Sequence, residues 1–354
     1  MSGAHGAPGA HSGHSAPGAH TGPPAWRDGH QAARAAADPV YGPGVDGQET
    51  DDPALRAQRA TRAFEEAHVV DWDSDVPFDL RGYYENPDKV EAHEVDAAGV
   101  VHPPLRPGAL ATLRHLREAE GDTVRLLRDL LVTPSHKEAR VTAFLTTWAF
   151  EEHWITRALE RILDAAGAPW GAAVPPGRRQ AARRAVEDRT RPLTVAVRTN
   201  LLGEDFVALH MVRGLLDSLA LRAVYLRLAA IEARPALTAF ATRVAAMKAQ
   251  HADFYLAQLR ARLDRSAGAR ALVSAWLAAG RWEWPGTRYD DPRRVATALR
   301  HVLRGEAGRR AVADVDRVVT SLGLPAGGSR FAPVARHLRR YGFGRQSAAA
   351  ASRA

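Results

Sequence analysis

Residues 144–164 read FLTTWAFEEHWITRALERILD, and this stretch decides the fold. Its apolar side chains recur three and four positions apart, which is the spacing of one face of an α-helix. They are Phe144, Trp148, Ile155, Leu159 and Ile162. Glu152 falls on the same face. Because an unpaired buried charge costs several kcal/mol, the stretch predicts a long core helix with a polar site at its middle.

Three further segments have the same helical period. They run from Leu113 to Leu131, from Val207 to Leu228, and from Pro235 to Gln258. Pro235 suits the first turn of a helix. Each helix is predicted to exceed about 20 residues, with short connections within the first and second pairs and a longer crossover between the pairs. This pattern predicts an all-α protein built on a four-helix bundle.

Polar residues interrupt each of the four apolar faces near the middle. They are Glu120, Glu152, Asp217 with Ser218, and Lys248 with His251. Tyr225 lies about two turns beyond Ser218 and is expected to be a core aromatic whose hydroxyl finds a partner. Residues three apart share a helix face, so a carboxylate and an imidazole at that spacing can reach one metal ion. Carboxylate di-iron bundles are built in this way.

The chain resembles the ferritin-like superfamily, and within it the soluble acyl-carrier-protein desaturase group. The resemblance covers about half the chain: Glu120–Leu131 (EGDTVRLLRDLL), Phe144–Asp164 and Tyr225–Leu263. Its most specific parts are WAFEEHW at residues 148–154 and HADFY at residues 251–255. The resemblance implies a ferritin-like four-helix bundle with additional flanking helices. It also implies two iron ions that activate oxygen for desaturation, hydroxylation or N-oxygenation.

Position by position, only half of the implied iron ligands are present. The three matching residues are Glu120, Glu152 and His251. The other three positions carry Ile155, Ser218 and Lys248. Asp217 adjoins Ser218 but faces about 100° away on a helix. The resemblance therefore implies an iron site that has been largely dismantled.

Lys248 is the informative departure, because a cation at a ligand position removes a donor and repels Fe²⁺. We expect Lys248 to bridge Glu120 and Glu152 in an ion-pair network, with no metal or other cofactor. We also expect a core polar network of Lys248, Asp217, Ser218 and Tyr225, and no residue is assigned a catalytic role. Two alternatives remain. One is a single Fe²⁺ or Mn²⁺ ion on Glu120, Glu152 and His251, and the other is a working dinuclear centre. His153 could replace the lost histidine if the helix bulges, and His210 could support Asp217 from about two turns away. Packing or surface roles are the preferred interpretation of both histidines.

Composition narrows the function further. The chain has 354 residues, no cysteine and a net charge of +8, so thiolate metal sites are excluded. The densest arginine clusters are at residues 178–184 and 336–340 and lack interleaved aromatics, so a solvated surface is preferred to nucleic-acid binding. No apolar run reaches the roughly 20 residues of a membrane helix, and no secretory signal is evident. A cytoplasmic location is expected.

Five regions are predicted along the chain. They are a disordered Gly/Ala/Pro/His-rich segment at 1–50, a helix (53–69) plus an extended wrap at 51–107, the bundle at 108–265, a helical extension at 266–325, and a flexible basic tail at 326–354. The histidines of the first segment are spaced irregularly, so weak or no metal binding is expected there. A basic helical piece near 178–189 is predicted within the crossover.

Two functional interpretations follow from the sequence. The preferred one is a non-catalytic structural or partner-binding protein that has lost most of its iron ligands. The alternative is an iron-dependent oxidoreductase that acts on an acyl or other small organic substrate. Bundles that resemble this one often form homodimers, but the sequence fixes neither the oligomeric state nor the substrate.

Overall fold

A computed structural model describes residues 76–131, 133–168, 203–287, 292–324 and 332–343. The chain divides into two compact units, Met1–Arg59 and Ala60–Ala354, and every described residue lies in the second. The described residues form helices, turns and loops without a β-strand, so the predicted all-α class is confirmed. The segment 1–50, the helix at 53–69 and the basic piece near 178–189 lie outside the described residues.

The α-helices of the described residues are numbered here in chain order. They are α1 (Leu80–Glu85), α2 (Ala97–Val101), α3 (Pro107–Gly121), α4 (Thr123–Leu131), α5 (Ala139–Ala165), α6 (Asp205–Glu232), α7 (Pro235–Arg265), α8 (Ala267–Ala278), α9 (Pro292–Leu303), α10 (Gly305–Thr320) and α11 (Pro333–Leu338). Short 3-10 helices cover Pro134–Lys137 and Arg339–Tyr341. None of the described helices combines the length and apolar character that crossing a bilayer requires.

Three long helices dominate the core. Helices α5, α6 and α7 have 27, 28 and 31 residues. Helices α6 and α7 are joined by Ala233 and Arg234 alone and pack along each other, which makes them an antiparallel pair. Helix α3 packs against α5 and α9. Side chains from α3, α5, α6 and α7 meet at the candidate site.

The first predicted core helix is broken, which corrects the expectation of one helix from Leu113 to Leu131. Helix α3 ends at Gly121 and α4 begins at Thr123. The Thr123 hydroxyl donates a 2.7 Å hydrogen bond to the main-chain oxygen of Glu120. Glycine and aspartate are poor helix-interior residues, and such side-chain bonds compete with the helical ladder. The break therefore falls directly after Glu120.

The segment that precedes the core contains two short helices as well as extended chain. Asp79 caps α1 by accepting from the Gly82 N–H at 2.9 Å, and Asp96 caps α2 by accepting from the Gly99 N–H at 2.8 Å. Helix α1 packs on α5, and α2 packs on α5 and α7. The predicted wrap over the core helices is thus partly helical.

The C-terminal helices pack on the outside of this core. Helix α8 lies on α6, α9 lies on α3 and α6, and α10 contacts α6, α9 and α11. The prediction of a flexible tail from residue 326 is wrong for residues 332–343, because α11 buries Pro333, Val334 and Leu338. Asp316 of α10 accepts hydrogen bonds from the Val334 and Ala335 N–H groups at 3.0 and 3.1 Å, which fixes the start of α11.

Candidate functional site

Lys248 lies at the centre of a buried polar cluster. Its Nζ is 2.6 Å from Glu120 Oε2 and 2.5 Å from Glu152 Oε1. The three residues are 1%, 1% and 2% exposed. Glu120 comes from the last turn of α3, Glu152 from the middle of α5, and Lys248 from the middle of α7. Both ion pairs that the sequence predicted are present.

Glu120 is the ionised carboxylate of the cluster. The Tyr225 hydroxyl of α6 donates to Glu120 Oε1 at 2.9 Å, so both carboxylate oxygens have donors. Burial alone would raise the pKa of Glu120. The Lys248 charge and hydrogen bonds with Glu152, Lys248 and Tyr225 outweigh burial and lower that pKa. The predicted partner of the Tyr225 hydroxyl is therefore Glu120.

Glu152 is the carboxyl group of the cluster whose pKa is raised. Burial and the neighbouring charge of Glu120 raise its pKa well above the ordinary value, against the opposing effect of Lys248. Burial would lower the pKa of Lys248, but the two glutamates outweigh it and raise that pKa. The Lys248 ammonium thus supplies a positive charge beside the Glu120 carboxylate.

A second set of hydrogen bonds surrounds His251. Its Nε2 is 2.6 Å from Glu151 Oε2, and the Tyr83 hydroxyl donates to the same oxygen at 2.7 Å. The Asp88 main-chain N–H donates to Glu151 Oε1 at 2.8 Å. Burial lowers the pKa of His251 even though Glu151 opposes this, so the imidazole is neutral and its Nε2–H donates. The His251 Nδ1 atom is buried without a hydrogen bond, 3.5 Å from Glu152 Oε1.

Glu151 and Tyr83 are site residues that the sequence interpretation missed. Glu151 adjoins Glu152, and the two side chains are separated by about 100° around the helix, so they serve different partners. Glu152 meets Lys248, whereas Glu151 meets His251 and Tyr83. The sequence did contain a signal for two adjacent carboxylate contacts. It consists of the paired glutamates on one helix and the Lys-x-x-His spacing on another.

Asp217 belongs to a different group, which corrects the predicted core network of Lys248, Asp217, Ser218 and Tyr225. The Asp217 carboxylate accepts from Trp282 Nε1 at 2.8 Å and lies 3.5 Å from Arg213 Nε. Burial raises the pKa of Asp217, while Arg213 and Trp282 act in the opposite direction. Ser218 is buried on α6.

His153 and His210 do not join the Lys248 cluster. His153 is exposed on α5, beside the Trp154 ring, and the helix runs through this region without a bulge. His210 Nδ1 is 2.6 Å from Ser135 Oγ. Burial, with a smaller effect of Arg213, lowers the pKa of His210 to about 3, so its imidazole is neutral.

A pocket of about 340 Å³ lies between α4, α5, α6, α7 and α8, and no residue of the Lys248 cluster lines it. Its polar lining includes His210, Asp217 and Tyr255, and its apolar lining includes Met211 and Trp276. The Tyr255 ring lies so close to α6 that a Cβ at Gly214 would be 2.4 Å from it. The pocket is in the usual size range for a small organic molecule, about 300 to 1,000 Å³.

The arrangement of the candidate ligands does not fit iron. The Lys248 ammonium is within hydrogen-bonding distance of both Glu120 and Glu152, the place where a bridging cation would sit. A protonated lysine there offers no lone pair and repels a divalent cation. Across the part of the chain that the structure describes, no group of three or more His, Asp or Glu residues is arranged to hold a metal ion.

Comparison of the chain with protein-family models, with curated proteins and with solved structures gave no match. The geometry of the site and the motifs in the sequence therefore carry the functional argument.

Proposed function

We propose that this protein is a non-catalytic member of the ferritin-like architecture, related to the acyl-carrier-protein desaturase group, and that it serves as a structural or partner-binding protein. The observation that carries the proposal is the Lys248 ammonium, which bonds to Glu120 and Glu152 at 2.6 and 2.5 Å. In this account the ammonium replaces iron as the positive charge of the core.

The positions of the polar groups support the ferritin-like part of the proposal. Four helices each supply one member of the cluster: Glu120 from α3, Glu152 from α5, Tyr225 from α6 and Lys248 from α7. Four helices that direct polar groups to a common level are the plan of carboxylate di-iron bundles. The ferritin-like relationship and the absence of a cofactor are parts of this proposal.

The burial of the cluster supports a structural role. Lys248, Glu120, Glu152 and His251 are between 0 and 2% exposed, so no substrate atom touches them in this arrangement. Removing one partner from a buried ion pair is costly, whereas the intact pair adds little net stability. The cluster therefore favours one alignment of the four helices, because any other alignment would leave a buried charge without its partner.

Metal binding by a designed variant tests the proposal. Lys248→Glu combined with Ile155→His supplies two donors at the positions where the resemblance implies them. We expect the parent chain to retain little iron after anaerobic Fe²⁺ addition and desalting, and the double variant to retain at least one ion per chain. Lys137→Glu makes the same charge change at an exposed site and should leave retention unchanged. A double variant of normal helicity that gains no iron would contradict the proposed alignment.

The second candidate function is an iron-dependent oxidoreductase that acts on an acyl or other small organic substrate. Two observations favour it: the His251 Nδ1 atom has no hydrogen bond, and a pocket of about 340 Å³ is lined by Tyr255, one helical turn beyond His251 on α7. This function requires the Lys248 side chain to leave the carboxylates. Parent protein that retains one or more iron ions per chain would favour this candidate over the first.

A homodimer is also part of the proposal, since bundles that resemble this one often dimerise. Phe150 of α5 is 41% exposed and gives the surface an apolar side chain where a partner could pack. Light scattering of the full chain at several concentrations measures the mass directly. A mass of two chains supports this part of the proposal, and a mass of one chain across the concentration range contradicts it.

A further inference from the structure

A cleft of about 1190 Å³ lies between α9, α10 and α11. None of the Lys248 cluster residues lines it, although Gly108 of α3 lies at its edge. Five arginines line it: Arg300, Arg304, Arg309, Arg317 and Arg339. Among the described residues that line the cleft, Asp316 is the single acid. The cleft therefore carries a strong excess of positive charge.

The acid of the cleft is already engaged. Asp316 accepts hydrogen bonds from the Val334 and Ala335 N–H groups at 3.0 and 3.1 Å, at the N-terminus of α11. His301, which also lines the cleft, is 3.0 Å from Glu232 through its Nε2. Burial raises the pKa of Asp316, while the charges of Arg339 and Arg336 act in the opposite direction. The cleft thus has one acid facing five arginines.

Three of the arginines have no acid within ion-pair distance among the described residues. Arg317 pairs with Asp314 at 2.8 Å, and Arg300 donates to the Tyr341 main-chain oxygen at 3.3 Å. Arg304, Arg309 and Arg339 form no ion pair with any described acid, and all three are exposed. Guanidinium groups present planar pairs of N–H donors that match the oxygens of phosphate groups.

The arginines of the basic cluster at residues 336–340 have different roles in the structure. Arg336 donates to the main-chain oxygens of Leu277 and Ala278 at 3.1 and 2.8 Å, so it holds α11 against α8. Arg339 instead lines the cleft, beside apolar side chains of Val312, Leu338 and Phe343. Guanidinium groups and an apolar wall thus face the same space.

We propose that this cleft binds a small organic polyphosphate, with its phosphates on Arg304, Arg309 and Arg339 and its organic part against Val312 and Phe343. The volume slightly exceeds the usual range for small-ligand pockets, about 300 to 1,000 Å³, so a molecule of nucleotide size fits. Several separate guanidinium groups favour a ligand with more than one phosphate. The N-terminal end of α10, at Gly305, adds partial positive charge on the same cleft.

Calorimetric titration of the full chain with ATP in magnesium-free buffer tests this proposal. We expect Arg304→Gln with Arg309→Gln to weaken binding about tenfold or more, because charge-assisted hydrogen bonds are lost. The matched control is Arg161→Gln with Arg260→Gln, which removes the same charge from exposed positions on α5 and α7. The control pair should change the affinity less than about threefold at physiological salt.

A second arm separates the organic part from the phosphates. Phe343→Ser should weaken ATP binding and leave the binding of inorganic tripolyphosphate unchanged. Equal weakening by the cleft pair and the control pair would overturn the proposal, as would the absence of ATP binding at millimolar concentration. Tighter binding of duplex DNA than of ATP, with the same dependence on Arg304 and Arg309, would assign the cleft to nucleic acid and would also overturn it.

Discussion

The ammonium of Lys248 bonds to two glutamates in a region that is at most 2% exposed. Removing two ions from water costs several kcal/mol for each, and their attraction in the protein interior offsets this cost only when the geometry is good. Here Tyr225 supplies a further donor to Glu120, and the Lys248 ammonium faces the Glu120 carboxylate at 2.6 Å. A change to one partner alone should therefore be costly.

Replacing Lys248 with methionine tests that cost. The substitution keeps the approximate length of the side chain but leaves Glu120 buried without its counter-charge. We expect the free energy of unfolding to fall by about 3 to 5 kcal/mol, as measured by urea denaturation. Lys137→Met, at an exposed position, is the control and should change it by less than about 0.5 kcal/mol. Equal losses in the two variants would show that the ion pairs do not stabilise the core.

The Tyr83 hydroxyl gives a second prediction for single residues. It donates to Glu151 Oε2 at 2.7 Å, beside His251 Nε2. Tyr83→Phe removes one donor from a buried carboxylate, so we expect a loss of about 1.5 to 3 kcal/mol in urea denaturation. Tyr84→Phe, on a side chain that is 48% exposed, should be nearly neutral. A neutral Tyr83→Phe would show that this hydrogen bond contributes little.

Part of this site could be predicted from the sequence. Glu120, Glu152 and Lys248 interrupt regular apolar faces, and that pattern alone predicts buried polar partners. Glu151 was not predicted as a site residue, because its partner Tyr83 lies 68 residues away in a segment without helical period. Contacts of that kind depend on how the segment folds back over α5, which a local pattern does not contain.

At the scale of elements, the turn between α6 and α7 contains a strained residue. Ala233 has φ 50° and ψ 35°, in the left-handed region, and its N–H bonds to the Ala229 main-chain oxygen at 2.9 Å. A non-glycine residue in that conformation costs about 1 to 2 kcal/mol. The turn joins the two longest helices of the described residues, so it sets how they pair.

Ala233→Gly should relieve this strain. We expect the substitution to raise the free energy of unfolding by about 1 kcal/mol, net of the greater chain entropy of glycine. The matched control is Ala230→Gly, three residues earlier and exposed within α6, which should lower it by about 1 kcal/mol. Thermal unfolding of the two variants and the parent shows whether each substitution raises or lowers the stability. A loss of stability in both variants would contradict the assigned turn.

The break between α3 and α4 shows where sequence periodicity fails for an element. Glu120, Val124 and Leu127 keep the helical spacing across the break, so the pattern predicts one helix. The helix is nevertheless interrupted at Asp122. Gly121 and the hydrogen bond of the Thr123 hydroxyl favour a helix end there. The Gly-Asp-Thr stretch signals a helix end, but the prediction gave more weight to the regular apolar spacing.

For the whole molecule, buried neutral histidines link stability to pH. The pKa of His210 is lowered to about 3 by burial and by Arg213, against an ordinary value near 6.5. Between these values the unfolded chain binds a proton that the folded chain does not, so stability is full above the ordinary pKa and falls as the pH decreases. His337, with a pKa lowered to about 4 by burial and Arg340, acts in the same direction.

Urea denaturation at pH 7 and pH 5 measures this link. We expect the His210 contribution to fall by about 1 to 2 kcal/mol between the two pH values. His210→Gln should reduce the pH dependence by that amount, whereas His153→Gln, on an exposed side chain, should leave it unchanged. An identical slope in the parent and His210→Gln would contradict the neutral state of this histidine.

The overall helical architecture follows from the long periodic segments, which predicted α5, α6 and α7. The helical extension predicted at 266–325 contains α8, α9 and α10. The short helices α1, α2 and α11 were not predicted, because 5 or 6 residues span less than two helical turns and show no period. Their capping contacts and packing partners, such as Asp316 for α11, come from distant parts of the chain.

The metal content of the unaltered protein tests the central claim most directly. Iron and manganese are counted by mass spectrometry in full-length chain purified from cells supplied with both metals. If the Lys248 ammonium takes the place of a metal ion, the content of iron plus manganese is far below one ion per chain. It is then the same in the Glu120→Gln variant. One or two ions per chain that disappear in Glu120→Gln would contradict the account.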